Sequence, residues 1–509
     1  MSQMIKTEAG KLHKHAAVEF FCGRKTPCCQ ELYVGSQRGV CVQWRWTPPV
    51  ICLILTLFAA CAPALASTAL AQGLIVLPEE VVLTLPKAFG QEFRVSYTSH
   101  PMKAIVDSNM PMPGMAQAQA PADVALREVR YSEEGGGSAL LVLEFNYQLP
   151  EGVVQEDAEL FQLVIPKTFV NTTTRLVEFG VTYGHQRRAD SFGPNVVNYL
   201  EIDLKRNFEV KLVLAQDRVY GAERVSDMAK RTGAIAAVNG AYFASNGRPL
   251  GVLMIDGELI TEPYANRTAV GLRPGGAVMD SVGFVGELWY EDGLLTTISG
   301  LNRPRLQDEL IVYTEAYGTK TNTNPYGYEV VVVDGVVVRL QPEGNSTIPQ
   351  GGIVLSAHGA QREYLSRLKL GDRVDLRITL QPDWSELGVF QIIGGGPRLV
   401  RDGQVEITGE AEQFKDDILK GRAPRTAIGI TADQRLLLVT VNGRQPHISV
   451  GMTLDELANL LIELGALEAM NLDGGGSTTM TVRNLVLNLP SDGKERAVSN
   501  AIVVVPGSK

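Results

Sequence analysis

GMTLDELANLLIELGALEAMNLDGGGSTTM, residues 451–480, is the stretch on which the reading of the chain turns. Thr453 and Glu456 stand at capping-box spacing, and Leu454, Leu457, Ala458, Leu461 and Leu464 repeat at helical intervals until Gly465, a natural helix stop. The segment therefore predicts a short amphipathic helix. Ala469 to Leu472 then leaves room only for a brief buried strand, so Asp473 emerges at a strand end, where open sheets commonly hold ligands. A helix feeding a buried strand that ends in a binding loop predicts an α/β domain with a mixed sheet, α+β in character.

The loop itself carries the chemistry. Gly474, Gly475 and Gly476 lack a Cβ, so the backbone there can take positive φ and turn several amides onto one point, which makes an anion-binding nest. Ser477, Thr478 and Thr479 add hydroxyl donors, and Asp473 can serve as a general acid, a nucleophile or a metal ligand. A plain tight hairpin between two buried strands is the competing reading. A nucleotide P-loop is excluded, because no GK[ST] follows and Thr478 to Val482 is β-branched and predicts a strand, with no helix N-terminus to receive phosphate.

Other stretches supply partners for this loop. Asn239 opens a turn with Gly240, and Tyr242 and Phe243 offer aromatic faces for a sugar ring, with core packing as the alternative. Gly394, Gly395 and Gly396 form a second glycine triplet, followed by Pro397 and Arg398, that suggests a close approach of backbone to the same ligand. Arg425 has the planar fork suited to two phosphate oxygens, Thr426 lies beside it, and Arg444 follows a turn. Neither a Ser-His-Asp triad nor a GxSxG elbow can be read from the chain.

With NGAYF from Asn239, PLGVLMIDGELI from Pro249, IGGGPRLVRDG from Ile393, PRTAIGI from Pro424, VNGR from Val441, GMTLDELANLL from Gly451 and NLDGGGSTTM from Asn471, the chain resembles the phosphodiester glycosidase family over residues 235–505. One departure is Asn442, where the family often shows Asp, so no catalytic carboxylate is carried over there. The resemblance implies hydrolysis of the bond between an N-acetylglucosamine-like sugar and a phosphodiester in a glycan or cell-envelope polymer. It assigns Asp473 the carboxylate role, Arg425 and the amides of Gly474, Gly475, Gly476 and Ser477 the phosphate, and Asn239 with Thr426 the positioning hydrogen bonds. Thr478, Gly395, Gly396, Tyr242 and Arg444 complete the expected substrate site. Two alternatives stay open: a glycan- or cell-wall-binding protein without activity, and a metal-dependent phosphodiesterase in which Asp473 is a ligand. No cofactor is demanded by the sequence, and a divalent metal is left open.

Length and charge set the frame. The 509 residues exceed a usual single domain, and 51 glycines with alternating apolar runs favour β-rich parts. A net charge of −9 with no basic stripe argues against a nucleic-acid partner. All six cysteines fall in the first 61 residues, beside an apolar run from Val50 to Ala60 and an Ala64-Leu65-Ala66 cleavage site, which together predict an export signal over residues 1–66. That run is too short for a stable membrane span, which needs about 20 residues. A β-rich accessory domain is expected over 73–199, with a flexible loop near 107–122, and the catalytic domain over 206–509.

Overall fold

A computed structural model describes residues 73–507; the expected export signal and all six cysteines lie outside the described residues. The described residues lie within one compact unit.

Residues 74–166 build two four-stranded antiparallel sheets that face each other. Glu80–Pro86 and Leu160–Pro166 bury alternate residues, Leu83, Leu85, Phe161 and Leu163, against Ala104, Val106, Leu141 and Leu143 of the second sheet. That period of two is what half-covered strands require. Within the stretch expected as a loop, Met112 and Met115 are buried in this same core.

The centre of the molecule is an eight-stranded antiparallel sheet. Its order runs Gln404–Val405, Arg398–Arg401, Ala466–Asn471, Arg425–Thr431, Arg435–Val441, Gly193–Asp203, Val181–Asp190, Phe169–Glu178. Both faces are covered. Leu437 and Val439 pack against the helix Leu454–Glu463, while Leu436 and Leu438 point the other way, into a core shared with Val238, Ile393 and Ile502 of two smaller sheets. A lobe inserted at 283–381 has its own core around Leu288, Val330 and Leu355.

The α/β expectation is therefore corrected to a β-rich fold. Among the described residues 36 strands stand beside only two α-helices of eight or more residues, Val225–Thr232 and Leu454–Glu463, and the one parallel pairing joins Gly300–Leu301 to Leu310–Tyr313. The reason lies in the stretch that suggested otherwise. Thr453 does cap its helix through a full capping box with Glu456, and Ala466–Asn471 does follow as a buried strand. That strand and Arg435–Val441, which precedes the helix, both pair antiparallel to Arg425–Thr431 lying between them. Locally the chain reads as strand, helix, strand; in the sheet an antiparallel strand splits the unit. Among the described residues no helix is long and apolar enough to cross a membrane.

The sheet pairing generates a prediction about where the chain can be cut. Gly193–Asp203 pairs with Arg435–Val441 from Val197 opposite Val441 to Asp203 opposite Arg435. Cutting at residue 206 strips that partner and opens a long apolar edge in the middle of the sheet, a hazard for aggregation. We expect a 206–509 fragment to be insoluble or uncooperative in thermal melts and a 169–509 fragment to melt cooperatively. A 206–509 fragment that melts like the full chain would contradict this.

Candidate active site

Several strand ends meet at one end of the central sheet. Ala466–Asn471 stops two residues before Asp473, Arg425–Thr431 begins beside it, and Ala236–Asn239 arrives from a neighbouring sheet. Asn239 is buried and ties them together. Its Nδ2 donates to the Asp473 carbonyl at 2.6 Å, and its Oδ1 accepts from the Thr426 hydroxyl at 2.8 Å and the Thr479 amide at 3.1 Å. Three of its four hydrogen-bonding positions are thus filled, a high cost if any one were lost. The expected positioning pair, Asn239 and Thr426, is brought together.

Asp473 stands just past this knot. Its half-buried carboxyl is pushed up to about 6 by burial, against the opposing pull of the Ser477 hydroxyl, the Gly474 amide and the charge of Arg496. A carboxyl so poised changes protonation near neutrality, a property concentrated at functional sites.

The glycines have distinct tasks. Gly475 takes φ +61°, which a side chain would resist, and a Cβ there would lie 3.1 Å from Nη2 of Arg444. Gly476 leaves room for an ion pair: a Cβ would fall 2.0 Å from Nη2 of Arg496 and 2.3 Å from Oδ2 of Asp492, which bond each other at 2.6 Å. The amides are less free than the sequence suggested. Gly475 donates to the Pro424 carbonyl, Ser477 to that of Gly474 and Thr478 to that of Gly475, while the Gly474 amide serves the Asp473 carboxyl. The loop is a tight turn with its donors largely spent within the protein. Beneath it Asn471 Oδ1, Thr478 Oγ1 and Thr479 Oγ1 are buried without hydrogen-bond partners, a cost that calls for a reason beyond packing.

The second glycine triplet approaches protein. A Cβ on Gly395 would lie 2.7 Å from the Asn471 carbonyl, and one on Gly396, at φ +102°, would lie 2.2 Å from Glu412 Oε2. The Gly396 carbonyl accepts from the Tyr242 hydroxyl at 3.0 Å, and that hydroxyl accepts from Asn471 Nδ2 at 2.6 Å. Burial and the nearby Asp473 charge push the Tyr242 phenol well above its ordinary range, so it stays protonated. Its ring leans on Phe414, with 5.5 Å between centroids.

The two arginines expected at the substrate differ in their surroundings. Arg425 is buried and donates from Nε to Met452, from Nη1 to Ile418 and from Nη2 to Gly421, all carbonyls at 2.9–3.2 Å. It braces the loop that carries Pro424 under the glycines. Arg444 is exposed and lies over Gly475, and Arg496 lies over Gly476. Asp492 and Arg496 escaped the sequence reading because they follow the last motif in a stretch with neither helical nor strand period. Asn442, the family departure, is buried: its Oδ1 accepts from the Leu489 amide at 3.2 Å, a task that an amide and a carboxylate perform alike. Among the described residues no cluster of three or more His, Cys, Asp or Glu is grouped as metal ligands would be.

Residues 326–505 match the phosphodiester glycosidase family, and the chain resembles that family as its motifs indicated. A Bacillus subtilis SPbeta prophage-derived protein, YomE, is 38% identical over 86 residues, which span 17% of this chain and 13% of that protein. Two solved structures share the fold. A Synechocystis protein aligns over 89% of this chain and 84% of its own with TM-score 0.60 and 22% identity. A Burkholderia pseudomallei protein whose name marks it as exported aligns over 86% of this chain and 99% of its own, with TM-score 0.55 and 21% identity.

The Asp473 geometry carries a stability prediction. Because the folded carboxyl holds its proton to about pH 6 and the unfolded one only to 3.8, the folded state is penalised as pH rises from about 4 to 6, and fully above that. With partial exposure allowed for, the penalty is on the order of 2 kcal/mol. Asp473→Asn should therefore be more stable than the parent protein at pH 8, with the advantage shrinking toward pH 4 in paired denaturation curves. A variant equally destabilised at both pH values would contradict it.

Proposed function

We propose that this chain, matched over 326–505 to the phosphodiester glycosidases, is an exported hydrolase that cleaves between a sugar's anomeric carbon and a phosphodiester oxygen. Water adds to the sugar, and the phosphate leaves as a monoester. The observation that carries this reading is the Asp473 carboxyl, tuned to about 6 in a loop crossed by two guanidiniums.

Cleavage of this kind passes through an oxocarbenium-like state. At neutral pH Asp473 is largely ionised and supplies negative charge to that state, while Arg444 and Arg496 provide positive charge where the phosphate would depart. A phosphate leaves as a stabilised anion and needs less proton help than an alkoxide, so a single carboxylate suffices. Asn239 and Thr426 hold the Asp473 backbone still, and Tyr242 fixes the second glycine triplet beside it. An N-acetylglucosamine-like sugar and a glycan or cell-envelope polymer are the substrate this reading favours. Export is supported by the signal-like segment at 1–66 and by the name of the Burkholderia pseudomallei relative.

Incubation with a sugar-1-phosphodiester, with and without a chelator, tests the reading directly. Free sugar and a phosphomonoester are expected in both arms, with kcat/KM rising through about pH 6 as Asp473 loses its proton. Release of a sugar phosphate and a free alcohol would place the cut at phosphorus and overturn it. The two arginines should separate in the same assay. Arg444→Lys loses the fork and lowers kcat/KM by roughly 10- to 100-fold, corresponding to about 1.5–3 kcal/mol for a charged hydrogen bond, with melting unchanged. Arg425→Lys loses three carbonyl contacts and lowers the melting temperature. The reverse pattern would return the phosphate to Arg425.

A further inference from the structure

A groove of about 700 Å³ runs between the N-terminal sheets and the central sheet, and its lining is basic. Its basic side chains are Arg127, Arg187, Arg188, His100 and His447; none of its lining residues is an Asp or Glu. A shallower groove of about 450 Å³ shares Gln148, Phe169 and Arg187 with it, continues it toward Asn171 and Thr172, and is also free of acids. In a chain of net charge −9 this is unusual. Two other large grooves are net acidic, each lined by four acids against two bases.

The cations in the groove are available to different degrees. Arg127 reaches Glu144 at 3.2 Å and Arg188 reaches Glu463 at 2.7 Å, whereas Arg187 is exposed and makes no ion pair among the described residues. Tyr147 is 4% exposed, lines the groove, and its hydroxyl has no hydrogen-bond partner. Asp123 and Asp190 lie near that hydroxyl, and Asp123 is neutralised by Lys167 at 2.6 Å. Phe169 offers a ring, and Asn146 and Gln148, whose Nδ2 and Nε2 already donate to the Val124 carbonyl and Met102 Sδ, offer amide oxygens able to accept from sugar hydroxyls. A floor of arginine, amide, aromatic ring and unsatisfied hydroxyl matches a saccharide that carries negative charge. His447 and Ile448 belong to the same turn as Arg444, so one short segment reaches from this groove to the glycine loop.

We propose that this groove binds an anionic saccharide, the chain-like arm of the substrate whose end is cut at Asp473. The proposal deepens the reading of the chain as a phosphodiester glycosidase and rests on it for the identity of the arm. Binding by screened surface cations is expected to weaken with salt.

The test uses the full chain with three probes measured by calorimetry: a phosphodiester-linked oligosaccharide, an oligogalacturonate as the carboxylate-bearing arm, and a neutral dextran oligomer. Arg127→Ser/Arg187→Ser should weaken binding of at least one anionic probe ten-fold or more, salt should do likewise, and the neutral probe should bind at least ten-fold more weakly than the better anionic one. Both arginines are exposed, so folding is preserved. In the same variant kcat/KM on a small soluble sugar-1-phosphodiester should move less than two-fold while that on the polymer falls. Unchanged anionic affinity in the variant, or neutral and anionic probes binding alike, would overturn the proposal. Groove binding without hydrolysis of the small substrate would instead sink the functional reading and leave the groove standing.

Discussion

The side chain of Asn239 is the interaction on which the site depends. It joins the Asp473 carbonyl, the Thr426 hydroxyl and the Thr479 amide, and Asn239, Thr426 and Thr479 are all buried, so a bond lost there leaves a buried polar group unpaired. The ends of strands from two sheets are thereby fixed relative to one carboxylate. Glu412 performs the matching task for the second glycine triplet: it is buried and accepts from the Thr268 amide at 3.0 Å, the Thr268 hydroxyl at 2.8 Å and the Arg398 amide at 2.9 Å. The antiparallel sheets deliver the ends; these buried side chains hold them.

That arrangement explains the electrostatics of Asp473. Burial raises its pKa, while the Ser477 hydroxyl and Gly474 amide restrain the rise, and the balance leaves a carboxyl near 6. A fully solvated carboxyl would sit about two units lower and feel charge weakly, whereas a dry, unpartnered one would stay neutral. The loop keeps Asp473 in the range between, with Arg496 close enough to act on it and Arg444 close to the adjacent glycine.

What the sequence made legible was local. The capping box at Thr453, the stop at Gly465, the strand into Asn471 and the emergence of Asp473 at its end all follow from neighbours within a few residues, and the structure shows each of them. What it hid was non-local. Nothing in 451–480 announces that Arg425–Thr431 inserts between Arg435–Val441 and Ala466–Asn471, so the local pattern reads as α/β where the sheet is antiparallel. The direction of Arg425 was equally hidden, because three carbonyls that claim its guanidinium come from Ile418, Gly421 and Met452. Asp492 and Arg496 became visible only when the fold laid them on Gly476.

The account stands most directly on which bond is broken. Hydrolysis of a sugar-1-phosphodiester in ¹⁸O-labelled water, followed by mass spectrometry of both products, reports this in one experiment. The account predicts label in the released sugar and none in the phosphomonoester. Label in the phosphate would mean attack at phosphorus and would contradict it.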